Sequence, residues 1–288
     1  MLPIYSIDLP KDFLNGQERC GHFVSSKMKK IWAVEIDLMV KLLQVCKKHG
    51  IHIFVSGGTL LGAARHQGMI PWDDDIDIWM PRPDYERLLK EYDHPYYKVL
   101  SAATDKNYPL DFPKVHDIRT MVVEDGGDGN WGVFIDIFIL DGIHSPDEGV
   151  KMMNKVAKYR AVVSNQRFTR KFKLTRSMGA KKFVMAILGK IAHTFISLNK
   201  VLLKEDAYIS GNDYEECDYA SSLVDYKYQV FVPKKALEPF VLMPFEDRMF
   251  RCPADSHVSL VETFGPNYMT PPPPEKRYSV HSSKAFWK

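Results

Sequence analysis

The apolar residues Ile31, Val34, Leu38, Leu42 and Val45 recur at helical spacing, with serines before them and Gly50 after, and predict a helix over 25–49. The run "IHIFV" at 51–55 is short and rich in β-branched residues, so it reads as a buried strand. "SGGTLLGAARHQG" then turns through two glycines into a short helix of small residues. In "DIDIWM" polar and apolar positions alternate as in a strand, and "PRPDYERLLKEY" starts a helix with proline in its first turn. Two further strand-like runs, "FPKVHDIRTMVVE" and "GVFIDIFIL", flank the Gly/Asp-rich turn "DGGDGN". Two or three helices follow over 149–204. Short strands in "VLMPFEDRMF", a helix over 254–264 and an extended "TPPPPEKRYSVHSS" close the pattern, and no internal repeat is present.

Charge changes the picture more than composition does. A chain of 288 residues with 45% hydrophobic content has ample material for a packed core. Its net charge of +3 hides a segregation: residues 149–204 hold fourteen Lys and Arg and no Asp or Glu, while the rest carries 25 basic against 36 acidic residues. A basic segment on an acidic body suggests an anionic partner, whether a lipid headgroup surface, a phosphorylated substrate or a nucleic acid; the plain alternative is a solvated helical face. In "KKFVMAILGKIAHTFISLNKVLLK" Lys190 and His193 interrupt the apolar run before it can span a bilayer. The stretch is therefore expected to lie on an anionic membrane rather than cross it. The opening "MLPIYSIDLPKDF" has neither a basic start nor an apolar core, so no secretory signal is expected. Cys20, Cys46, Cys217 and Cys252 lack CxxC spacing, which argues against a zinc site or disulfide framework and for reduced thiols in the cytoplasm.

The chemistry concentrates in "GMIPWDDDIDIWMPR", residues 68–82, where Asp73, Asp74, Asp75 and Asp77 fall within five positions among apolar residues. Burying like charges costs several kcal/mol each unless a cation compensates. Side chains two apart on a strand share a face, so Asp75 and Asp77 project together while Ile76 and Ile78 face the core. Asp136 in "FIDIF" is a third carboxylate on an otherwise apolar strand. Such an oxygen-rich set selects Mg²⁺ or Mn²⁺ over zinc. Removing Asp136 is then expected to stabilise the metal-free protein by relieving repulsion. Asp73 and Asp74 either support these ligands or are surface acids at the strand entrance, and the sequence leaves both open. Upstream, Gly57 and Gly58 let backbone N–H groups approach an anion at the start of a helix, a phosphate cradle in which Thr59 takes part.

A Gly-Gly turn, a helix and a strand bearing DxD resemble the order in polymerase-beta-like nucleotidyltransferases. More specifically, "GGTLLGAARHQGMIPWDDDIDIWMPRPDYERL", "KVHDIRT", "GVFIDIFILDG" and "FED…VETFGPNYMTPPPPEKR" resemble the LicD family, a branch of that fold that includes phosphocholine transferases and fukutin-related proteins. The resemblance implies an α+β fold with a mixed, nucleotidyltransferase-like sheet, flanking helices and a helical basic insert. Residues 1–148 would form the catalytic core, 149–230 the insert contacting acceptor or membrane, and 231–288 the part completing the core and active site. It further implies transfer of a phosphorylated alcohol, phosphocholine foremost, from a CDP-activated donor to a hydroxyl of a glycan or its lipid-linked precursor. Nucleic acid is the weaker partner.

On this reading Asp75, Asp77 and Asp136 hold the metals and carry catalysis, with Asp136 helping to remove the hydroxyl proton. Gly57, Gly58 and Thr59 bind donor phosphate. Arg65, His66, Lys114 and Arg119 are candidates to neutralise charge on the leaving CMP, each weighed against a surface salt bridge. Trp72 is a candidate to stack on base or choline, with Trp131, Tyr268 and Tyr278 as further aromatics. Arg277 and His281 in the proline-rich tail either close over the site or lie on the surface. Two rivals remain: a DxD glycosyltransferase using a nucleotide sugar, and an NTP-using enzyme gripping nucleic acid through the basic insert.

Overall fold

A computed structural model of the protein describes residues 5–123, 131–171, 184, 187, 197–225, 228–278 and 284–287. After the short hairpin of β1 (Gln17–Arg19) and β2 (His22–Val24) comes α1 (Ser26–His49). The Ser25 hydroxyl caps it by accepting from the Met28 N–H at 3.2 Å, and Gly50 ends it in the left-handed region at φ 63°. Lys47, Lys48 and His49 sit in its last turn, where cations suit the helix dipole.

The centre is one seven-stranded mixed sheet made of β3 (Phe54–Val55), β4 (Ile76–Pro81), β5 (Tyr97–Leu100), β6 (Lys114–Asp117), β8 (Phe134–Ile143), β9 (Tyr219–Ser221) and β10 (Val232–Pro233). β4 and β8 run parallel, and β3 lies antiparallel on the far edge of β4. The other edge of β8 is shared. β6 pairs antiparallel with its first residues and β9 with its last, while β5 extends β6 and β10 extends β9.

Strand alternation divides the two faces. Ile76, Ile78, Met80, Ile135, Ile137 and Ile139 enter the main core with Trp32, Ile36 and Leu42 of α1 and with Leu60 and Leu61 of α2 (Gly57–His66). Asp77, Trp79, Asp136 and Phe138 occupy the alternate positions. The hairpin of β11 (Val241–Phe245) and β12 (Arg248–Cys252) adds Phe245 and Phe250 to the same core, their rings stacked at 4.9 Å.

α3 (Arg82–Glu91) is anchored by Arg82, whose buried guanidinium donates to Asp141 on β8 at 2.7 and 3.2 Å and to Asp206 at 2.9 Å. Asp206 belongs to α5 (Leu198–Ile209), which packs with α4 (Pro146–Lys171) around Ile143, Met152, Val156 and Leu223. Residues 149–230 thus end inside the central sheet, at β9. Most of the basic stretch 181–196, with Lys181, Lys182, Lys190 and His193, lies outside the described residues, as do "DGGDGN" and His281. Among the described residues no helix is long and apolar enough to cross a membrane. α6 (Ser256–Phe264) matches the expected helix over 254–264. The run "KVHDIRTMVVE" splits at Ile118–Arg119 into β6 and β7 (Thr120–Val123), and β7 pairs with β13 (Lys284–Trp287) in a separate ribbon.

Candidate active site

Register brings the charged residues together. Asp77 is the direct partner of Asp136 across β4 and β8, and Lys114 is the direct partner of Asp136 across β6 and β8. Three strands therefore present the row Lys114–Asp136–Asp77 on one face. Asp75 lies two residues before Asp77, and carboxylate oxygens of Asp75, Asp77 and Asp136 lie within 4.8 Å of one another. A second convergence of the same span joins Asp73, Asp74 and Asp75. Asp74 is buried, and the Asp73 carbonyl accepts from the Trp32 indole N–H at 3.0 Å. Both acids are thus built into the fold.

The turn into α2 sits against this row. The Ser56 N–H donates to the Asp77 carbonyl at 3.0 Å, and the Asp77 N–H donates to the Thr59 hydroxyl at 2.8 Å. Gly57 has φ +49°, and a Cβ there would stand 3.0 Å from the Asp77 carboxylate; one on Gly58 would stand 2.7 Å from that of Asp73. Ser56, Gly57 and Gly58 line one cleft together with Asp73, Asp75, Asp77 and Asp136. The Ser56 hydroxyl is buried without a hydrogen-bond partner among the described residues. An orphan hydroxyl at a helix N-terminus, where the first N–H groups lack intrahelical acceptors, suits an anion.

Burial and mutual repulsion dominate the electrostatics. Asp77 is pushed well above the usual carboxylate range by burial and then by Asp75, Asp136 and Asp73, with Lys114 opposing. Burial, then Asp75 and Asp74, raise Asp73 likewise. Glu35 of α1 is buried with Oε2 unpartnered among the described residues, and burial followed by Asp75, Asp74, Asp73 and Asp136 raises it well above its ordinary value. Lys114 is 3% exposed and its ammonium donates to Asp136. One cation among so many carboxylates leaves net negative charge, and the donor set is all oxygen, so these residues fit a hard divalent ion.

The remaining expected residues are dispersed. Arg65 lines the cleft, donating to the Tyr268 carbonyl at 2.7 Å and to His66 Nε2 at 2.9 Å. Burial, then Arg65, Arg19 and Arg277, lower His66 to about 4, so at neutral pH it is a neutral acceptor rather than a cation. Trp72 lines the cleft too, but His22 and His66 meet it edge-on and Arg277 and Arg65 lie 5.0 and 6.0 Å from its centroid. Arg277 also donates to the Cys20 and Pro272 carbonyls. Arg119 turns from the cleft to Asp117 and the Tyr97 hydroxyl. Trp131 is buried in a separate cluster with Tyr108 and Val133, and Tyr278 is exposed. Glu246, in the "FED" motif, clamps the loop into the acids: its N–H donates to the Gln67 carbonyl at 2.8 Å, and its carboxylate accepts from the Met69 N–H at 3.0 Å and pairs with Arg19.

The cleft has a volume of about 680 Å³. Besides the acids it is lined by Trp79, Phe112, Phe138, Tyr228 and Phe264, none of which the motif reading singled out. The signal was present in "DIDIW" and "FIDIF", where an aromatic follows the cleft-lining aspartate by two positions and so shares its face.

A mixed sheet presenting three carboxylates beside a glycine-started helix is the nucleotidyltransferase arrangement expected above. The family model for the LicD/FKTN/FKRP nucleotidyltransferase domain matches residues 50–156. The chain is 31% identical over 251 residues to the lipopolysaccharide cholinephosphotransferase LicD of Haemophilus influenzae, covering 84% of this chain and 91% of that one. The human ribitol 5-phosphate transferase FKRP is 50% identical over 34 residues, 12% of this chain and 7% of FKRP. The chain belongs to the LicD family.

Proposed function

We propose that this protein transfers a phosphorylated alcohol, phosphocholine foremost, from a CDP-activated donor to a hydroxyl of a cell-surface glycan or its lipid-linked precursor. The observation that carries the reading is the row Asp77–Asp136 with Asp75, set beside the start of α2 in one cleft. The similarity to a lipopolysaccharide cholinephosphotransferase supports phosphocholine as the group and a glycan as the acceptor.

Asp75, Asp77 and Asp136 would hold Mg²⁺ or Mn²⁺, which lowers the pKa of a bound hydroxyl and stabilises charge on departing phosphate oxygens. Ser56 and the first N–H groups of α2 bind donor phosphate. Arg65 adds the cleft's basic side chain. In the reaction the acceptor oxygen bonds to the phosphorus that carries the alcohol, and the bond from that phosphorus to the bridging oxygen breaks. The acceptor proton passes to a carboxylate, Asp136 on this reading, and CMP leaves with the bridging oxygen. Lys114 holds Asp136 in position. The basic segment 149–204 is assigned to the acceptor or to an anionic membrane surface on the cytoplasmic side.

The test is nucleotide release from CDP-choline, CDP-glycerol, CDP-ribitol and UDP- and GDP-sugars with glycan acceptor and Mg²⁺. CMP from a CDP-alcohol, reduced about a thousandfold in Asp75→Asn, is expected. A nucleoside diphosphate released from a sugar donor, or pyrophosphate from an NTP, would overturn the reading. Salt-sensitive co-sedimentation with anionic but not neutral liposomes checks the membrane assignment.

A further inference from the structure

The face that carries the carboxylates changes character one step along the strands. Asp77 and Asp136 are partners, and two residues on so are Trp79 and Phe138. Side chains at i and i+2 of a strand share a face about 6.6 Å apart, so a row of acids is followed directly by a row of aromatic rings. Phe112 stacks on Phe138 with centroids 5.2 Å apart and planes at 27°. Tyr228 lines the same cleft, its ring 5.6 Å from that of Phe264. Two more cleft carboxylates accompany this end: Asp111, adjacent to Phe112 and paired with Arg160 at 3.2 Å, and Asp225, which accepts from the Tyr228 N–H at 3.4 Å. Among the described residues lining the cleft, Arg65 is the one basic side chain, and it is tied to His66 and Tyr268. The Lys114 ammonium, 5.1 Å from the Phe112 centroid, is matched by Asp136.

We propose that this aromatic row, Trp79 and Phe138 with Phe112 and Tyr228, receives the positively charged head of the transferred alcohol, a quaternary ammonium, and so determines which alcohol the enzyme accepts. The proposal rests on the phosphoalcohol-transfer reading above. Its argument is chemical. A quaternary ammonium has no N–H to donate; it is recognised by the negative faces of several rings and by nearby carboxylates that need not touch it. Glycerol or ribitol would need a directed donor or acceptor for each hydroxyl, or leave polar groups unpaired against aromatic carbon. Distance agrees as well, because the two-carbon chain between phosphorus and nitrogen in phosphocholine spans about one such row spacing. A phosphate bound at the start of α2, beside Asp77, would bring its ammonium to the neighbouring row of rings.

Titration calorimetry on the full chain in Mg²⁺ tests this with three donors: CDP-choline, its neutral carbon isostere CDP-3,3-dimethylbutanol, and CDP-ribitol. CDP-choline is expected to bind about tenfold tighter than the isostere, the size of a desolvated cation–π contact. In Phe138→Leu, and separately in Phe112→Leu, that ratio should fall below about threefold while isostere binding changes by no more than about twofold. The wild-type comparison stands even if a variant fails to fold. Equal binding of charged and neutral donors, or tighter binding of CDP-ribitol, would overturn the aromatic pocket and leave phosphoalcohol transfer intact. Failure of every CDP-alcohol to bind would overturn the transfer reading, and the pocket with it.

Discussion

Asp77→Asn and Asp136→Asn should shift the stability of the metal-free protein in opposite directions. The sequence pattern predicts relief of repulsion from removing Asp136, and the structure reverses that sign because Asp136 pairs with the buried Lys114. Like charges at the 4.8 Å span of the triad repel by about 3 kcal/mol at an effective dielectric near 20. Burial and then Asp75, Asp136 and Asp73 push the Asp77 carboxyl up, so Asp77→Asn removes a repelled charge and should raise stability by about 1–2 kcal/mol, a fraction of that pairwise repulsion. Asp136→Asn leaves an ammonium 3% exposed without its counter-charge and should lose about 3 kcal/mol. At roughly 2 °C per kcal/mol for a chain of this size, the two variants should melt about 8–10 °C apart. The assay is thermal denaturation in EDTA at neutral pH, with Lys114→Met plus Asp136→Asn closing the cycle by recovering part of the loss. An Asp136→Asn variant melting at or above wild type would refute the assignment of Lys114 as its compensating charge.

Three other perturbations follow from the same geometry. Glu205 is buried with both carboxylate oxygens unpartnered among the described residues, and burial, then Asp111, raise it from 4.5 to about 8. The native state therefore binds the extra proton between those values and stability falls as pH rises through that window, so Glu205→Gln should be more stable than wild type at pH 9 by on the order of 2–4 kcal/mol and close to it at pH 4, read by urea denaturation. Thr59→Val removes the acceptor of the Asp77 N–H and should cost about 1–3 kcal/mol and lower kcat about tenfold with little change in donor KM; unchanged kcat would count against Thr59 as a positioning group. Arg82→Met leaves Asp141 buried without its partner and should cost about 3–5 kcal/mol by chemical denaturation, a loss absent if Asp141→Asn alone is equally tolerated in both backgrounds.

Local alternation was enough to foresee how the carboxylates converge. "DIDI" and "FIDIF" each place an aspartate opposite apolar neighbours, which is enough to predict that the side chains share a face with one another and not with the core. What alternation cannot supply is strand order. Lys114 reads as a free cation until β6 is laid beside β8, and only then does it become the partner of Asp136. Thr59 and Trp72 were singled out by position, yet their contacts are long-range: the Thr59 hydroxyl serves the Asp77 backbone, and Trp72 is surrounded by arginine and histidine side chains from the β1–β2 hairpin, α2 and the C-terminal tail. His66 shows the limit most clearly. A histidine beside an arginine looks like added positive charge, whereas three neighbouring guanidiniums and burial keep the proton off it.

β8 serves two masters along a single edge. Its early residues, including Asp136, are sealed by β6, and its late residues, including Asp141, by β9 after the chain has run through α4 and α5. The helical excursion is therefore bracketed by fixed points: it departs from the end of β8 and returns to pair with that same strand. Substitutions within this excursion should leave the register that aligns Asp77 with Asp136 in place, provided the returning strand and the Asp206 contact to Arg82 are kept. Grafting a relative's helices between those two seams would thus amount to changing the handle of a tool without regrinding its blade.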